Sequence, residues 1–195
     1  MTQNSSTVPA SSAPAASAGA RTTKAGIARN ALAIGAGVVV LAIAAQLAIP
    51  FKPVPVTMQT LAVVLVGWAL GGGRSLAAVS IYGAMGVAGL PILSAGTAGI
   101  SPSTGYLLGF IVSAAFVGWM QSRQPLAGLR ALAVFAVALA MPYIPGLIWL
   151  SAFTGMGAPW SAQVLAAGMT PFIPGDILKL VAAAAVATGA TALRR

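Results

Sequence analysis

The chain has 195 residues, 58% of them hydrophobic and 6% charged, with a mean hydropathy of +0.95 and ten cations against a single anion. A soluble domain carries about a quarter charged residues and a disordered chain is poor in Leu, Ile, Val and Phe, so both are excluded and lipid is the expected solvent. The +9 balance is scattered singly between apolar runs, which argues against a nucleic-acid partner, and the lack of Cys and His removes thiolate and imidazole metal sites and any catalysis built on a His base.

The first 20 residues are rich in Ser, Thr, Ala and Pro, too polar to build a core, and residues 1–29 as a whole read as a disordered cytoplasmic tail. Arg21, Lys24 and Arg29 then precede an apolar run at 31–49. That order imitates a secretory signal, but about 19 residues exceed the 7 to 15 of a signal's apolar region and match the roughly 20 needed to cross about 30 Å of hydrocarbon. With Pro, Gly and charge as punctuation, further spans fall at 57–70, 76–90, 105–120, 129–151 and 172–192. The expected fold is therefore an all-α membrane protein, a six-helix transmembrane domain over 30–195.

Charge placement orients it. Six spans put the N-terminus, Arg74, Arg123, Arg130, Arg194 and Arg195 on one side, eight cations in all with Arg21, Lys24 and Arg29. The opposite loops hold only Lys52. The positive-inside rule then places both termini in the cytoplasm, in a multi-pass arrangement.

Small residues recur at spacing four on the first span: Ala31 with Gly35, Ala33 with Gly37, and Ala44 with Ala48. Helices in lipid approach closely where side chains are small, so these pairs serve either packing within the chain or docking of another membrane protein. Gly83, Gly86 and Gly89 mark a face of the third span in the same way.

The densest chemistry is Pro171-Phe172-Ile173-Pro174-Gly175-Asp176-Ile177-Leu178-Lys179, which holds the chain's one acidic residue. Pro174 suits a first helical turn, and Asp176 and Lys179 at i and i+3 then share a face. Two readings stand: the carboxylate complements a helix N-terminus at the water boundary, or the pair serves a ligand, since charge inside a membrane costs about 2.5 to 3.5 kcal/mol and is kept mainly for function. Gln59, behind the stiff Pro50, Pro53 and Pro55 connection, offers an amide either to a neighbouring helix or to the same ligand. The polar run Ser94, Thr97, Ser101, Ser103, Thr104 and Tyr106 opens toward the same side, and turn chemistry alone accounts for its hydroxyls. Tyr82, Tyr143 and the four tryptophans read as core or interfacial aromatics.

Four segments together resemble a known family: Pro53-Val54-Pro55-Val56-Thr57-Met58-Gln59-Thr60-Leu61, Tyr82-Gly83-Ala84-Met85-Gly86-Val87-Ala88-Gly89-Leu90-Pro91, Thr104-Gly105-Tyr106-Leu107-Leu108-Gly109-Phe110, and the Pro171 to Lys179 stretch. In order and spacing they are similar to the BioY family, biotin-specific S components of energy-coupling factor transporters. The resemblance implies an S-component-like bundle that captures biotin from outside and joins a transmembrane T component driven by two cytoplasmic ATPase subunits. It implies no cofactor in the chain itself and no enzyme activity, with ATP used by the partners, in keeping with the lack of a Gly-rich Lys-Ser/Thr phosphate loop here. The small-residue pairs of the first span become candidates for docking on the T component.

Biotin supplies a ureido ring with two N–H donors and a carbonyl, a thioether ring and a carboxylate tail. The resemblance assigns Asp176 to the ureido N–H groups, with Lys179 either donating to the ureido carbonyl or holding Asp176 ionised. Gln59, Tyr106 and Thr104 become candidates for further hydrogen bonds, and Tyr82 or a tryptophan for packing on the bicyclic ring. No arginine lies on the outer side, so the tail is left to Lys52, Lys179 or loop hydroxyls and amides. The rival expectation is a self-sufficient secondary transporter in which Asp176 carries a coupling proton.

Overall fold

The computed structural model describes residues 24–193. Arg21, Arg194, Arg195 and most of the expected tail therefore lie outside the described residues. The first helix, α1, runs Lys24–Gln46, so residues 24–29 are its opening turns rather than tail. At 1.5 Å per residue its 23 residues extend about 35 Å, enough to cross a bilayer. A two-residue antiparallel ribbon follows, β1 (Ala48–Ile49) pairing with β2 (Val56–Thr57), joined through a cis Lys52-Pro53 bond. Next come α2 (Gln59–Leu70), α3 (Gly72–Val87), a single 3₁₀ turn at Ser94–Gly96, and α4 (Thr104–Arg123). The chain then continues through α5 (Gly128–Ala140), α6 (Tyr143–Thr154), the short α7 (Ala162–Gly168) and α8 (Ile173–Ala192).

Among the described residues, four stretches are long and apolar enough to cross a membrane: Lys24–Gln46, Thr104–Arg123, Gly128–Thr154 and Ile173–Ala192. The expected second and third spans are α2 and α3, only 12 and 16 residues long. They are joined at Gly71, whose φ of +78° suits glycine, and the resulting hairpin packs on α4 rather than standing alone in lipid. Contact there is backbone to backbone. A Cβ on Gly67 would lie 2.7 Å from the Ala114 carbonyl oxygen, and one on Gly118 would lie 2.3 Å from the Gly72 nitrogen. Ser75 adds a polar tie, its hydroxyl donating to the Ala114 carbonyl at 3.1 Å.

The expected fifth span, 129–151, is divided by Pro142 into α5 and α6. Proline has no N–H to give the carbonyl four residues back. That carbonyl, on Ala138, instead accepts a 2.7 Å hydrogen bond from the Ser113 hydroxyl of α4, which satisfies it where no water is at hand. One turn away, Gly109 leaves room for the proline itself: a Cβ there would sit 2.3 Å from the Pro142 Cα. The interval expected to be loop between the last two spans contains α7, whose N-cap Ser161 accepts from the Val164 N–H.

Helix α4 is central, packing against α2, α3, α5 and α6, while α1 lies on α2 and α3, and α8 on α2 and α5. Two apolar cores result. One, around Leu41, Tyr82, Phe110, Leu147 and Leu150, joins α1, α3, α4 and α6. The other, around Val117, Leu126, Phe135, Ala183 and Ala187, joins α4, α5 and α8. Large apolar side chains also face outward on α1 (Leu32, Val39, Ile43), α5 (Leu129, Val137) and α8 (Leu178, Val181), the belt expected of a protein dissolved in lipid. Lys24, Arg29, Arg74, Arg123 and Arg130 fall toward one end of the bundle, and the ribbon with Lys52 caps the other.

Candidate functional site

Just inside the ribbon end, the starts of α2, α4, α6 and α8 surround a cavity. Its lining, apolar and aromatic with a few convergent polar groups, suits a small molecule. Its polar wall is built from α8. Phe172 and Pro174 set the first turn, the Asp176 N–H closes a helical bond to the Phe172 carbonyl at 2.8 Å, and the Asp176 side chain is thereby aimed inward. Lys179, less than one turn further on, donates to the Asp176 Oδ1 at 3.0 Å. Both residues are buried, at 9% and 6% exposure.

A buried ion pair holds only where its remaining hydrogen-bonding capacity is met. Here Thr60 of α2 donates to the Asp176 Oδ1 at 3.1 Å and accepts from the Lys179 Nζ at 3.0 Å. The other carboxylate oxygen, Oδ2, accepts a 2.5 Å hydrogen bond from the Tyr143 hydroxyl. A carboxylate of fixed orientation thus faces the cavity, with a cation and two hydroxyls around it. Charge-assisted bonds of this kind are about twice as strong as neutral ones.

The apolar wall is aromatic. Tyr106, Tyr143 and Phe172 form a triangle with every pair of ring centroids 6.5 Å apart, mostly edge to face. Glycines make the triangle possible, since a Cβ on Gly146 would lie 2.4 Å from the Tyr106 ring. The Tyr106 hydroxyl is turned away from the carboxylate and donates to the Gly168 carbonyl of α7 at 2.7 Å. Leu107, Phe110 and Leu139 complete this side.

Of the six residues expected at a ligand site, Asp176, Lys179, Gln59, Tyr106 and Thr104 line this one cavity. Tyr82 does not line it; it lies fully buried behind Gln59, whose amide nitrogen donates to its hydroxyl at 2.7 Å. Gln59 itself is 2% exposed. The Thr104 hydroxyl oxygen accepts from the Ser101 N–H at 2.8 Å and so shapes the start of α4. Thr60, Tyr143 and Phe172 also line the cavity, although the sequence gives Thr60 and Phe172 no role of their own and Tyr143 only that of a core or interfacial aromatic. Thr60 stood beside Gln59 within a matching segment, and the Pro142-Tyr143-Ile144-Pro145 cluster inside an apolar run was the signal for Tyr143.

The small-residue pairs of α1 separate cleanly. Gly37 and Ala44 are buried, and a Cβ on Gly37 would meet Ala78 and Leu70 at 3.0 Å. Ala48 lies beyond the helix, in β1. Ala33 is half-buried. Ala31 and Gly35 are exposed, and a Cβ on Gly35 meets nothing within 4 Å.

Fold and site together define a multi-pass helical membrane protein with a small-molecule cavity enclosed between its helices. The chain belongs to the BioY family, whose model its residues 11–195 match. It is 34% identical over 152 residues to the biotin transporter BioY2 of Lactococcus lactis subsp. cremoris (strain MG1363), an alignment covering 76% of this chain and 82% of that protein. It is likewise 34% identical over 158 residues to the biotin transporter BioY of Rhizobium etli, covering 75% and 83%. Among solved structures it shares its fold with the S-component for biotin from an ECF-type ABC transporter, with a TM-score of 0.71 over 85% of this chain and 92% of that one at 21% identity.

Proposed function

We propose that this chain is a biotin-capturing S component, a transport subunit rather than an enzyme. The observation that carries the reading is the buried Asp176 carboxylate, fixed by Tyr143, Thr60 and Lys179 on the wall of a cavity otherwise largely apolar and aromatic. A carboxylate is the strongest acceptor a protein offers to the paired N–H groups of a ureido ring, and the Lys179 ammonium beside it is placed to donate to the ureido carbonyl. The thioether ring and aliphatic tail would lie against Tyr106, Tyr143 and Phe172, with the tail carboxylate directed toward Ser103 and Thr104 at the start of α4.

In this reading α5 and α6 count as one crossing, α2 and α3 count as two, and the chain crosses a bacterial cytoplasmic membrane six times. The cation-rich end faces the cytoplasm with both termini, and the ribbon end faces outward. Transport would need a transmembrane T component and two cytoplasmic ATPase subunits, with the open Ala31 and Gly35 face of α1 supplying the docking surface.

Isothermal titration of the purified protein in detergent tests the site. One biotin per chain is the expected result, with affinity reduced at least about 100-fold in Asp176→Asn, consistent with loss of two charge-assisted hydrogen bonds. Unchanged affinity in that variant would remove the ureido assignment. Uptake driven by a proton gradient in vesicles holding this chain alone would favour the self-sufficient carrier instead.

A further inference from the structure

Two segments cover the ribbon side of the cavity: the ribbon itself, through Val54, Pro55 and Thr57, and the connection after α3, through Leu93 and Ser94. They are far apart in sequence, yet one side-chain amide holds both. The Gln59 Oε1 accepts from the Thr57 hydroxyl at 3.0 Å and from the Ser94 hydroxyl at 2.6 Å. Its Nε2 donates to the Tyr82 hydroxyl at 2.7 Å, which donates in turn to the Ile92 carbonyl at 3.0 Å. The donors run in one direction, from Thr57 and Ser94 through Gln59 and Tyr82 to the backbone of the second segment. Both lone pairs of the Gln59 oxygen and one of its two N–H groups are thereby used within the protein.

The held segment is not relaxed. Between Ser94 and Gly96, Ala95 has φ of +55° and ψ of +36°, a left-handed conformation that disfavours any residue with a Cβ. Such strain persists where surrounding bonds over-determine the chain. The bonds that reach this turn from the helices are those from Gln59 and Tyr82, with the Gln46 amide touching the Ile92 and Leu93 carbonyls at 3.4 and 3.3 Å.

We propose that the Gln59 amide is a latch that ties the ribbon and the 92–97 segment together, so that the two covers open as one unit to admit and release the ligand. Gln59 is then a positioning residue rather than a ligand contact. Tyr82, although outside the cavity, belongs to the latch as the relay to Ile92. Hydrogen bonds chained in low dielectric strengthen one another, so removing one member weakens those that remain.

The inference rests on the biotin reading for its kinetic arm but not for its structural one. Tyr82→Phe removes the relay hydroxyl while touching no cavity wall. Hydrogen exchange of the protein without ligand should rise in both 48–57 and 92–97, with α5 and α8 unchanged. Stopped-flow measurements should show biotin association and dissociation both accelerated at least about threefold, with Kd within about twofold of the original. Ser94→Ala, which cuts the link at the other side of Gln59, should raise exchange in the same two segments and guards against a packing defect peculiar to Tyr82→Phe. Exchange confined to one segment, or unchanged in both, overturns the latch. So does slower association, or faster dissociation with association unchanged. Failure of the biotin reading is separate and visible as absence of binding by the unaltered protein.

Discussion

The Tyr143 hydroxyl donates a 2.5 Å hydrogen bond to the Asp176 Oδ2, tying the first residue of α6, just after Pro142, to the first turn of α8. Tyr143→Phe should keep the aromatic triangle and lose the bond that fixes the carboxylate. A hydrogen bond to a charged group contributes about 1.5–3 kcal/mol. Because the bond is made without ligand, the thermal midpoint should fall, and biotin affinity should drop about tenfold or more by titration calorimetry as the carboxylate loses its fixed orientation.

Asp176 and Lys179 neutralise each other in a buried setting, so stability and binding should respond differently to their removal. Lys179→Met leaves a buried carboxylate without its cation, a change that costs about 3–5 kcal/mol when such a pair is broken. Its thermal midpoint in detergent should drop clearly. The double variant Asp176→Asn with Lys179→Met should regain most of that midpoint and still fail to bind biotin. A double variant as unstable as the single one would show that the unpaired carboxylate is not what destabilises Lys179→Met.

Ser113→Ala should act at a distance. It strips the donor from the Ala138 carbonyl, inside a region where no water replaces it, which costs about 1–3 kcal/mol. The α5 to α6 junction is expected to shift, and with it Tyr143. A lowered thermal midpoint together with a severalfold loss of biotin affinity is the expected pair of results, and restoration by Ser113→Thr would identify the hydroxyl as the cause.

Gly35 and Gly146 give opposite outcomes when a side chain is added. Gly146→Ala drives a methyl group to within 2.4 Å of the Tyr106 ring and should cost about 1–3 kcal/mol in folding, with weaker biotin binding. Gly35→Leu projects into open space on α1 and should leave midpoint and biotin affinity alone. Biotin uptake in cells that also express the T and ATPase subunits should nevertheless fall if the proposed docking face must stay flat.

Topology is directly testable because the chain has no native cysteine. Single cysteines at Lys52 and at Arg123 should label from opposite faces of the membrane, Lys52 from outside. Labelling of both from one face would overturn the proposed orientation.

Much of this was readable in the residues. Asp176 and Lys179 stood out because the chain has a single acidic residue and an i, i+3 cation beside it in an apolar stretch, and helical geometry then brings the two together. Gln59 stood out by type, but its partners Tyr82 and Ser94 are 23 and 35 residues away, and only the fold reveals that its amide is already engaged. Tyr143 was hidden for a different reason. An apolar run of span length reads as one helix, and the effect of Pro142 depends on whether a neighbour can satisfy the carbonyl it frees, which is a property of Ser113 on another helix. Helix α7 was missed because seven residues between prolines and glycines carry too little periodic signal, although Ser161 marked its start. The roles of Ala31, Ala33 and their partners were equivalent on the helix surface until α2 and α3 were placed against one side of it.

The pairing of Asp176 with Lys179 also sets how the site responds to voltage. An anion and a cation 3.0 Å apart are a dipole with no net charge, so this pair adds no net charge-displacement work if the site changes depth in the membrane. Biotin, ionised at its tail, would then be the net charge that the site itself carries. Carrying one negative charge toward an inside-negative compartment opposes a field worth about 2.3 kcal/mol per 100 mV. Accumulating biotin is thus electrically uphill by a term that Asp176 and Lys179 leave untouched, and it must be met by energy from outside the chain.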